Sequence, residues 1–446
     1  MEEGAELAQT DVDENRSVWA DTSVPYRPEP ALAAEIDADV AIIGGGFTGV
    51  STALHLARRF PERRIVLLEA RELASGASGR NGGQVLNWIN GVEHHDAEHA
   101  RRVYDVTRSG IDLIEETISR YKLDTRWRRD GGLEVFTSPA RADAGAKHAE
   151  WLRAAGIPVT FLDKAALRGR VDLAGAEGAL FDPNAAQLDG VGYLRGLKPV
   201  LMDLGVHVYE HSPARRIVEG SVCTVTTDGG VVRAKAIVLA TNAYTPHLGY
   251  FTGGILPLHS HVVATEPLPP ERWAELGWRG AAGFSDDLDR IAYASMTPDG
   301  RLVFGGGSNA SYGYRYGGHT TWEGTADAGF AAVEDRLRRY LPHTTGVKIA
   351  HRWTGTLGVT LSRVCTMGVR GEHRNVYFAL GYSGHGVTLA NLAGRVLADL
   401  YAGEDATWRG LPFYQQKLLY IPPDPLRWVG YHAFTAVTGK SPRRTM

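Results

Sequence analysis

The stretch Asp39-Val40-Ala41-Ile42-Ile43-Gly44-Gly45-Gly46-Phe47-Thr48-Gly49, with Glu69 twenty residues further on, decides how this chain folds. Val40 to Ile43 is a short apolar run of the kind buried on both faces of a parallel sheet. Gly44 allows a tight turn, Gly46 leaves room for a phosphate to approach the backbone, and Gly49 lets the next helix pack closely on the strand. That helix is expected from Thr48 to about Phe60, with its free N–H groups and positive dipole end turned toward the phosphates. Ile65 to Leu68 reads as a second buried strand, and Glu69 at its end would accept hydrogen bonds from ribose hydroxyls. The charge of Glu69 disfavours a 2′-phosphate. Strand, glycine turn, helix, strand and acid together make a dinucleotide-binding βαβ unit for FAD or NAD rather than NADP. Phe47 and Thr48 at the helix start, and Ala70 and Arg71 after the acid, are assigned to the cofactor with it.

Length and composition fit an enzyme of two or three domains: 446 residues, 43% hydrophobic and 22% charged. A net charge of −3 without a basic block gives no reason to expect nucleic acid as a partner. Two cysteines, Cys223 and Cys365, make no disulfide framework and fit a reducing compartment. No apolar run approaches the roughly 20 residues of a membrane span, and the N-terminus is acidic rather than signal-like. A cytoplasmic enzyme is the expectation, with the oligomeric state open between monomer and dimer.

Residues 1 to about 16 read as a mobile acidic segment, and Trp19 to Pro30 as an extended arm on the domain surface. Helical spacing runs from about 97 to 122 and from Ala140 to Ala155, with a strand at Gly132 to Thr137 between them. Leu194 to Leu204 reads as a helix and Val206 to Tyr209 as a strand. Val222 to Thr226 would form a hairpin with Val231-Val232, and Ala236 to Asn242 a further buried strand. Residues 257 to 350 read as a mainly antiparallel sheet. Val376 to Leu380 is a strand that leads through Gly381-Tyr382-Ser383-Gly384-His385-Gly386 into a helix ending near Tyr401. In His94-His95-Asp96-His99, two histidines stand four apart, but no third ligand is in place, so no metal is expected.

Three later features favour FAD over NAD. The loop Gly79-Arg80-Asn81-Gly82-Gly83-Gln84 adds backbone amides beyond the acid, as a longer cofactor needs. Ala240-Thr241-Asn242 ends a strand on which the middle of a flavin cofactor would lie, with Ala240 and Thr241 assigned to the cofactor. Gly384, His385, Gly386, Val387 and Thr388 open a helix whose N-terminus suits the negative charge of a reduced flavin. With Arg352-Trp353-Thr354-Gly355 and Thr360-Leu361-Ser362-Arg363, these stretches resemble the D-amino-acid-oxidase-like superfamily of FAD-dependent amine oxidoreductases from about residue 37 to 402. Within it the likeness is to the γ-glutamylputrescine oxidase-like branch.

The resemblance implies a Rossmann-like FAD-binding domain of discontinuous segments 37–95, 180–256 and 345–402. Segments 96–179 and 257–344 would form a substrate domain with a mixed or antiparallel sheet, flanked by an arm (1–36) and a tail (403–446). It implies oxidation of an amine C–N bond, with hydride passing to flavin N5 and O₂ reoxidising the flavin to give H₂O₂. The alternatives are an amino-acid oxidase of the glycine, sarcosine or D-amino-acid type, and a dehydrogenase using another acceptor. The candidate catalytic residues are His385, Tyr314, Arg315 and Trp353, each with a plain structural role as the competing reading. Gly355 is expected in a loop beside the flavin, and Arg80 as a phosphate or loop-ordering residue. The sarcosine oxidases of the family carry a lysine in the place of Thr388 to hold a substrate carboxylate, so Thr388 tilts the expectation toward an amine. Their attachment cysteine aligns near Gly355, ten positions before Cys365, so the FAD is expected to be non-covalent. The apolar tail is expected to pack on the body or close over the substrate entrance.

Overall fold

The computed structural model describes residues 16–92, 96–279, 281, 283–322 and 327–438. The expected mobile segment therefore lies almost wholly outside the described residues, as do His94 and His95. Asp96 caps the helix Ala97–Tyr121 by accepting from the His99 amide at 2.7 Å.

The opening motif folds as read. Glu35–Ile43 lies between Ile65–Leu68 and Val231–Leu239, parallel to both. His207–Tyr209 extends the sheet beyond Ile65–Leu68, and Val376–Leu380 extends it in parallel beyond Val231–Leu239. Thr366–Arg370, Cys223–Thr226 and Arg216–Val218 complete an eight-stranded sheet with antiparallel pairs. The hairpin and the buried strand expected separately, at 231–232 and 236–242, are one nine-residue strand. Its first half pairs with the hairpin partner and its second half with Val376–Leu380.

Two helices cover this sheet with their N-termini at the same end: Phe47–Arg59 and Gly386–Ala402. They pack tightly, and Ser51 Oγ donates to the Asn391 carbonyl at 2.6 Å. Ala97–Tyr121 joins this layer, with Val103, Ile111 and Ile114 in the same core as Val50, Leu54, Leu392 and Val396.

A second, nine-stranded sheet runs Tyr312–Gly313, Leu256–Thr265, Leu302–Gly306, Ala292–Met296, Gly283–Asp286, Gly132–Phe136, Gly178–Asp182, Thr160–Asp163. All its pairs are antiparallel except Gly283–Asp286 with Gly132–Phe136. Ile349–Val359, expected partly as a loop inside the cofactor segment 345–402, is an eleven-residue strand pairing along Leu256–Thr265. The helix Asp327–Tyr340 gives this sheet a buried face through Val333 and Leu337.

The arm differs from a surface strap at its start. Ser17–Trp19 is buried, and Val18–Asp21 forms one helical turn. The Trp19 indole donates to the Asn81 carbonyl at 2.8 Å, and Ser17 Oγ donates to the Gly79 carbonyl. In the tail, Leu426–Thr438 is a helix with a largely exposed outer face.

Candidate active site

The two sheets and the tail enclose one cavity of about 650 Å³. The turn Gly44–Gly46, Glu69, Ala70, Thr241 and Asn242 line it from the first sheet. Ala77, Ser78, Asn81, Gly82 and Gln84 line it from the glycine loop, and Tyr293, Tyr312 and Thr356 from the second sheet. Ser383–Val387 opens onto it at a helix start, and Ile421, Leu426, Arg427, Tyr431 and Phe434 roof it from the tail.

Local chemistry explains the cradle. Gly44 has φ +110°, and a Cβ there would stand 2.7 Å from the Ala240 carbonyl oxygen. At Gly49 a Cβ would stand 1.8 Å from the Gly44 carbonyl oxygen, so only glycine lets helix and turn touch. Glu69 Oε2 accepts from the Gly45 amide at 2.6 Å and Oε1 from the Arg71 amide at 3.0 Å. Burial raises the Glu69 carboxyl above its ordinary range, against the pull of those amides. Neither helix that opens onto the cavity has a side-chain cap at its N-cap residue, Gly46 or His385. Ser78 Oγ of the glycine loop accepts from the Phe47 amide at 3.0 Å, and both helix dipoles are turned to the cavity. Thr48 Oγ1 and Tyr382 Oη, 2.7 Å apart, tie the two helix starts together.

Of the residues assigned to the cofactor, Gly44, Gly46, Phe47, Thr48, Glu69, Ala70, Asn81, Gly82, Gln84, Ala240, Thr241, Gly384, His385, Gly386 and Val387 line the cavity. Others stand one layer back. Gly49 packs on Gly44, and the Arg71 carbonyl accepts from His211. Gly79 and Gly83 are held by Ser17 and Trp19. Arg80 Nη1 donates to the Thr354 carbonyl at 3.3 Å, and Gly355 packs against the Arg80 backbone. Thr388 corrects the expectation: it is buried off the cavity, and its Oγ1 donates to the Leu86 carbonyl at 2.6 Å.

Three of the four catalytic candidates also stand elsewhere. Tyr314 donates to Asp424 Oδ2 at 2.7 Å, a contact with the tail. Arg315 donates to the Thr321 carbonyl. Trp353 is a core residue, 0% exposed, whose indole donates to the Arg80 carbonyl at 2.8 Å. Only His385 is on the cavity. His259 and His261 share a face of their strand as read, bonded to the His319 carbonyl and Thr354 Oγ1, and burial lowers both to about 4. Cys365, pushed up to about 12 by burial, and Cys223 do not line the cavity.

Sequence reasoning passed over Asp289, Arg290 and Tyr293, and it placed Asn242 at a strand end and Arg363 in a motif without giving either a role of its own; all five are on the cavity. Asn242 had a legible signal, an asparagine directly after a buried strand. It adopts φ +42° there, and its Oδ1 accepts from the Gly381 amide at 2.9 Å. Tyr293 stays protonated, its phenol raised to about 12 by burial.

A glycine turn at a helix start, a buried acid after the next strand, a second helix start and a cavity lined by all three fit FAD. Fold and site thus define a flavin-dependent oxidoreductase. The chain belongs to the DAO family of FAD dependent oxidoreductases, whose profile matches residues 39–400. It is 32% identical over 398 residues to the gamma-glutamylputrescine oxidoreductase of Escherichia coli K12, covering 87% of this chain and 89% of that one. It is 24% identical over 390 residues to the glycine oxidase of Geobacillus kaustophilus, covering 84% of this chain and 96% of that one. The crystal structure of glycine oxidase from Geobacillus kaustophilus superposes with a TM-score of 0.73 at 22% identity, over 86% of this chain and 99% of that one. The likeness to this structure bears on the fold. No helix among the described residues is long and apolar enough to cross a membrane.

Proposed function

We propose that this chain oxidises a C–N bond of a polyamine-like or N-substituted amine. The imine hydrolyses to an aldehyde, and O₂ takes up the electrons as H₂O₂. FAD, held non-covalently, supplies the hydride acceptor at N5. The observation that carries the reading is a single cavity joining the dinucleotide cradle to a chamber walled by Tyr293, Tyr312, Tyr431 and Phe434. Such walls desolvate an ammonium and favour the neutral amine, the form that releases hydride from the adjacent carbon. The start of Gly386–Ala402 offers its amides and dipole to negative charge that develops beside it, with His385 at the same rim. The name of the Escherichia coli relative, a putrescine derivative's oxidoreductase, supports the amine class.

An amino-acid oxidase is the second reading, favoured by an arginine on the cavity wall and by the glycine oxidase relative. A dehydrogenase passing electrons to another acceptor is the third. Two buried free cysteines accord with a cytoplasmic location. The test is anaerobic bleaching of the flavin by a panel of polyamines, acylated polyamines and amino acids, followed by H₂O₂ release in air. Bleaching by amino acids alone would replace the first reading with the second. Turnover only with an artificial acceptor would replace the oxidase with a dehydrogenase.

A further inference from the structure

The roofing helix Leu426–Thr438 is amphipathic in the inverted sense. At about 100° per residue, Arg427, Tyr431 and Thr435 fall on one side, and Leu426, Val429, Ala433 and Val437 on the other. The polar side is the one that meets the body. Arg427 donates from Nε to the Pro422 carbonyl at 2.9 Å and from Nη2 to the Thr252 carbonyl at 3.2 Å. Tyr431 Oη donates to the Tyr312 carbonyl at 3.4 Å, and Thr435 is 7% exposed. The apolar side is turned outward. Leu426, Val429, Phe434 and Val437 are each more than half exposed, and Trp428 is 40% exposed.

That outward side carries no charge, because Arg427 is the only charged residue of the helix. A surface helix ordinarily does the reverse, and a continuous apolar face in water costs free energy until something covers it. The helix is also held in this orientation. Asp424 Oδ1 accepts from the Trp428 amide at 2.9 Å, and Asn309 Nδ2 donates to the Thr435 carbonyl at 3.0 Å. It lies outside the family span 39–400, so the face belongs to the tail of this chain and not to the shared fold.

Charge and size select the occupant. No acidic residue occurs after Asp424, and Lys440, Arg443 and Arg444 follow the helix in the sequence of a chain whose net charge is −3. A stable protein partner needs about 800 Å² on each side. The outward strip of this 13-residue helix, about 20 Å long and about 10 Å wide, offers far less. The same length falls short of the roughly 30 Å hydrocarbon core of a bilayer, so the helix can lie on a membrane but not cross it. An apolar strip with a tryptophan, followed by cations and free of carboxylates, suits the headgroup region of an anionic membrane.

We propose that the roofing helix docks this protein on the surface of an anionic phospholipid bilayer. Leu426 and Phe434 belong both to the outward face and to the cavity wall, so the rim of the cavity rests on the membrane when the helix is docked. The docking is independent of which amine is oxidised.

The test is flotation of the purified holoenzyme with vesicles of phosphatidylcholine, alone or mixed with phosphatidylglycerol. Binding to the mixed vesicles should exceed binding to the neutral ones by at least about tenfold, since each cation near the surface is worth about fivefold. Val429→Glu with Val437→Glu should lower it at least about tenfold. Flavin content and melting temperature should hold in that variant, because both side chains are exposed and neither lines the cavity. Lys440→Gln with Arg443→Gln and Arg444→Gln should remove the preference for the anionic lipid. Brominated acyl chains should quench tryptophan fluorescence less in Trp428→Phe than in the wild type. Absence of binding to the mixed vesicles, or binding that the two glutamates leave unchanged, overturns the proposal. Failure to float together with a dimer that the glutamates dissolve makes the face a contact between copies and overturns it likewise. If the glutamate variant loses its FAD, the quenching decides, and equal quenching in Trp428→Phe counts against the docking.

Discussion

Trp19 offers a strict test of how the cofactor loop is held. It lies outside the family span 39–400, is 1% exposed, donates its indole N–H to the Asn81 carbonyl, and covers Gly83. Trp19→Ala empties that slot, at a cost of about 3–5 kcal/mol for a fully buried large side chain. Trp19→Phe keeps most of the packing and removes one hydrogen bond, about 0.5–1.5 kcal/mol, at most roughly tenfold in an equilibrium constant. Both changes act on the loop carrying Asn81 and Gly82, which line the cavity. A loop that must be ordered at the moment of binding lowers FAD affinity, because its ordering entropy is charged to the complex. The assay is paired: urea unfolding with and without saturating FAD, and the FAD dissociation constant from flavin fluorescence. Trp19→Phe should weaken FAD up to tenfold and Trp19→Ala further, with the added stability from FAD shrinking in step. If Trp19→Ala destabilises the apoprotein by several kcal/mol yet binds FAD as tightly as wild type, the arm braces the fold and not the loop.

Glu69→Gln should weaken FAD by about 10–100-fold, the worth of charge-assisted hydrogen bonds, and relax the bias against a 2′-phosphate. In the apoprotein the raised Glu69 carboxyl contributes stability that is complete below its ordinary value of about 4.3 and lost as pH rises through the raised value. FAD favours the ionised form, so it should be released as pH falls through that raised value, and Glu69→Gln should abolish this acid limb in a titration of bound flavin. Thr388→Lys should lower flavin content and melting temperature without creating oxidation of sarcosine or glycine, because the side chain is enclosed by Leu86 and Gly110. Gain of such activity with normal stability would contradict that placement. Acid-denatured protein should leave all yellow colour in the supernatant, since neither cysteine lines the cavity. Colour retained on the chain would refute non-covalent binding.

The first-sheet half of the site was legible because its determinants are local. A four-residue apolar run, glycines at fixed offsets and an acid after the next strand fix strand, turn and helix within one contiguous stretch, and Glu69 lies where that grammar puts it. The substrate side was not legible, and the tyrosine loop shows why. Tyr312 sits in a strand and lines the cavity, but the strand ends at Gly313, so alternation says nothing about Tyr314. Its hydroxyl is claimed by Asp424, a tail residue far along the chain, and no pattern near residue 314 announces that partner. Trp353 failed differently. It alternates correctly within Ile349–Val359, but that strand pairs with Leu256–Thr265, turning the indole toward Arg80. Asp289 and Arg290 lie in a turn with no periodicity at all, and only the pairing of the flanking strands brings them to the wall.

The tail changes how the tyrosine loop should be understood. Asp424 accepts from both the Tyr314 hydroxyl and the Gly317 amide, and its Oδ1 accepts from the Trp428 amide at the start of the roofing helix. One carboxylate thus joins the loop to the roof, and Asn309 Nδ2 ties the far turn of that helix by donating to the Thr435 carbonyl at 3.0 Å. Tyr314 itself stands off the cavity, its ring 5.8 Å from that of Tyr431 between centroids. Lifting the helix together with Asp424 would strip the carboxylate of its two loop donors, Tyr314 and Gly317, at once. The same coupling bears on Arg290, whose Nε is held by Asn309 and whose face is covered by Tyr431.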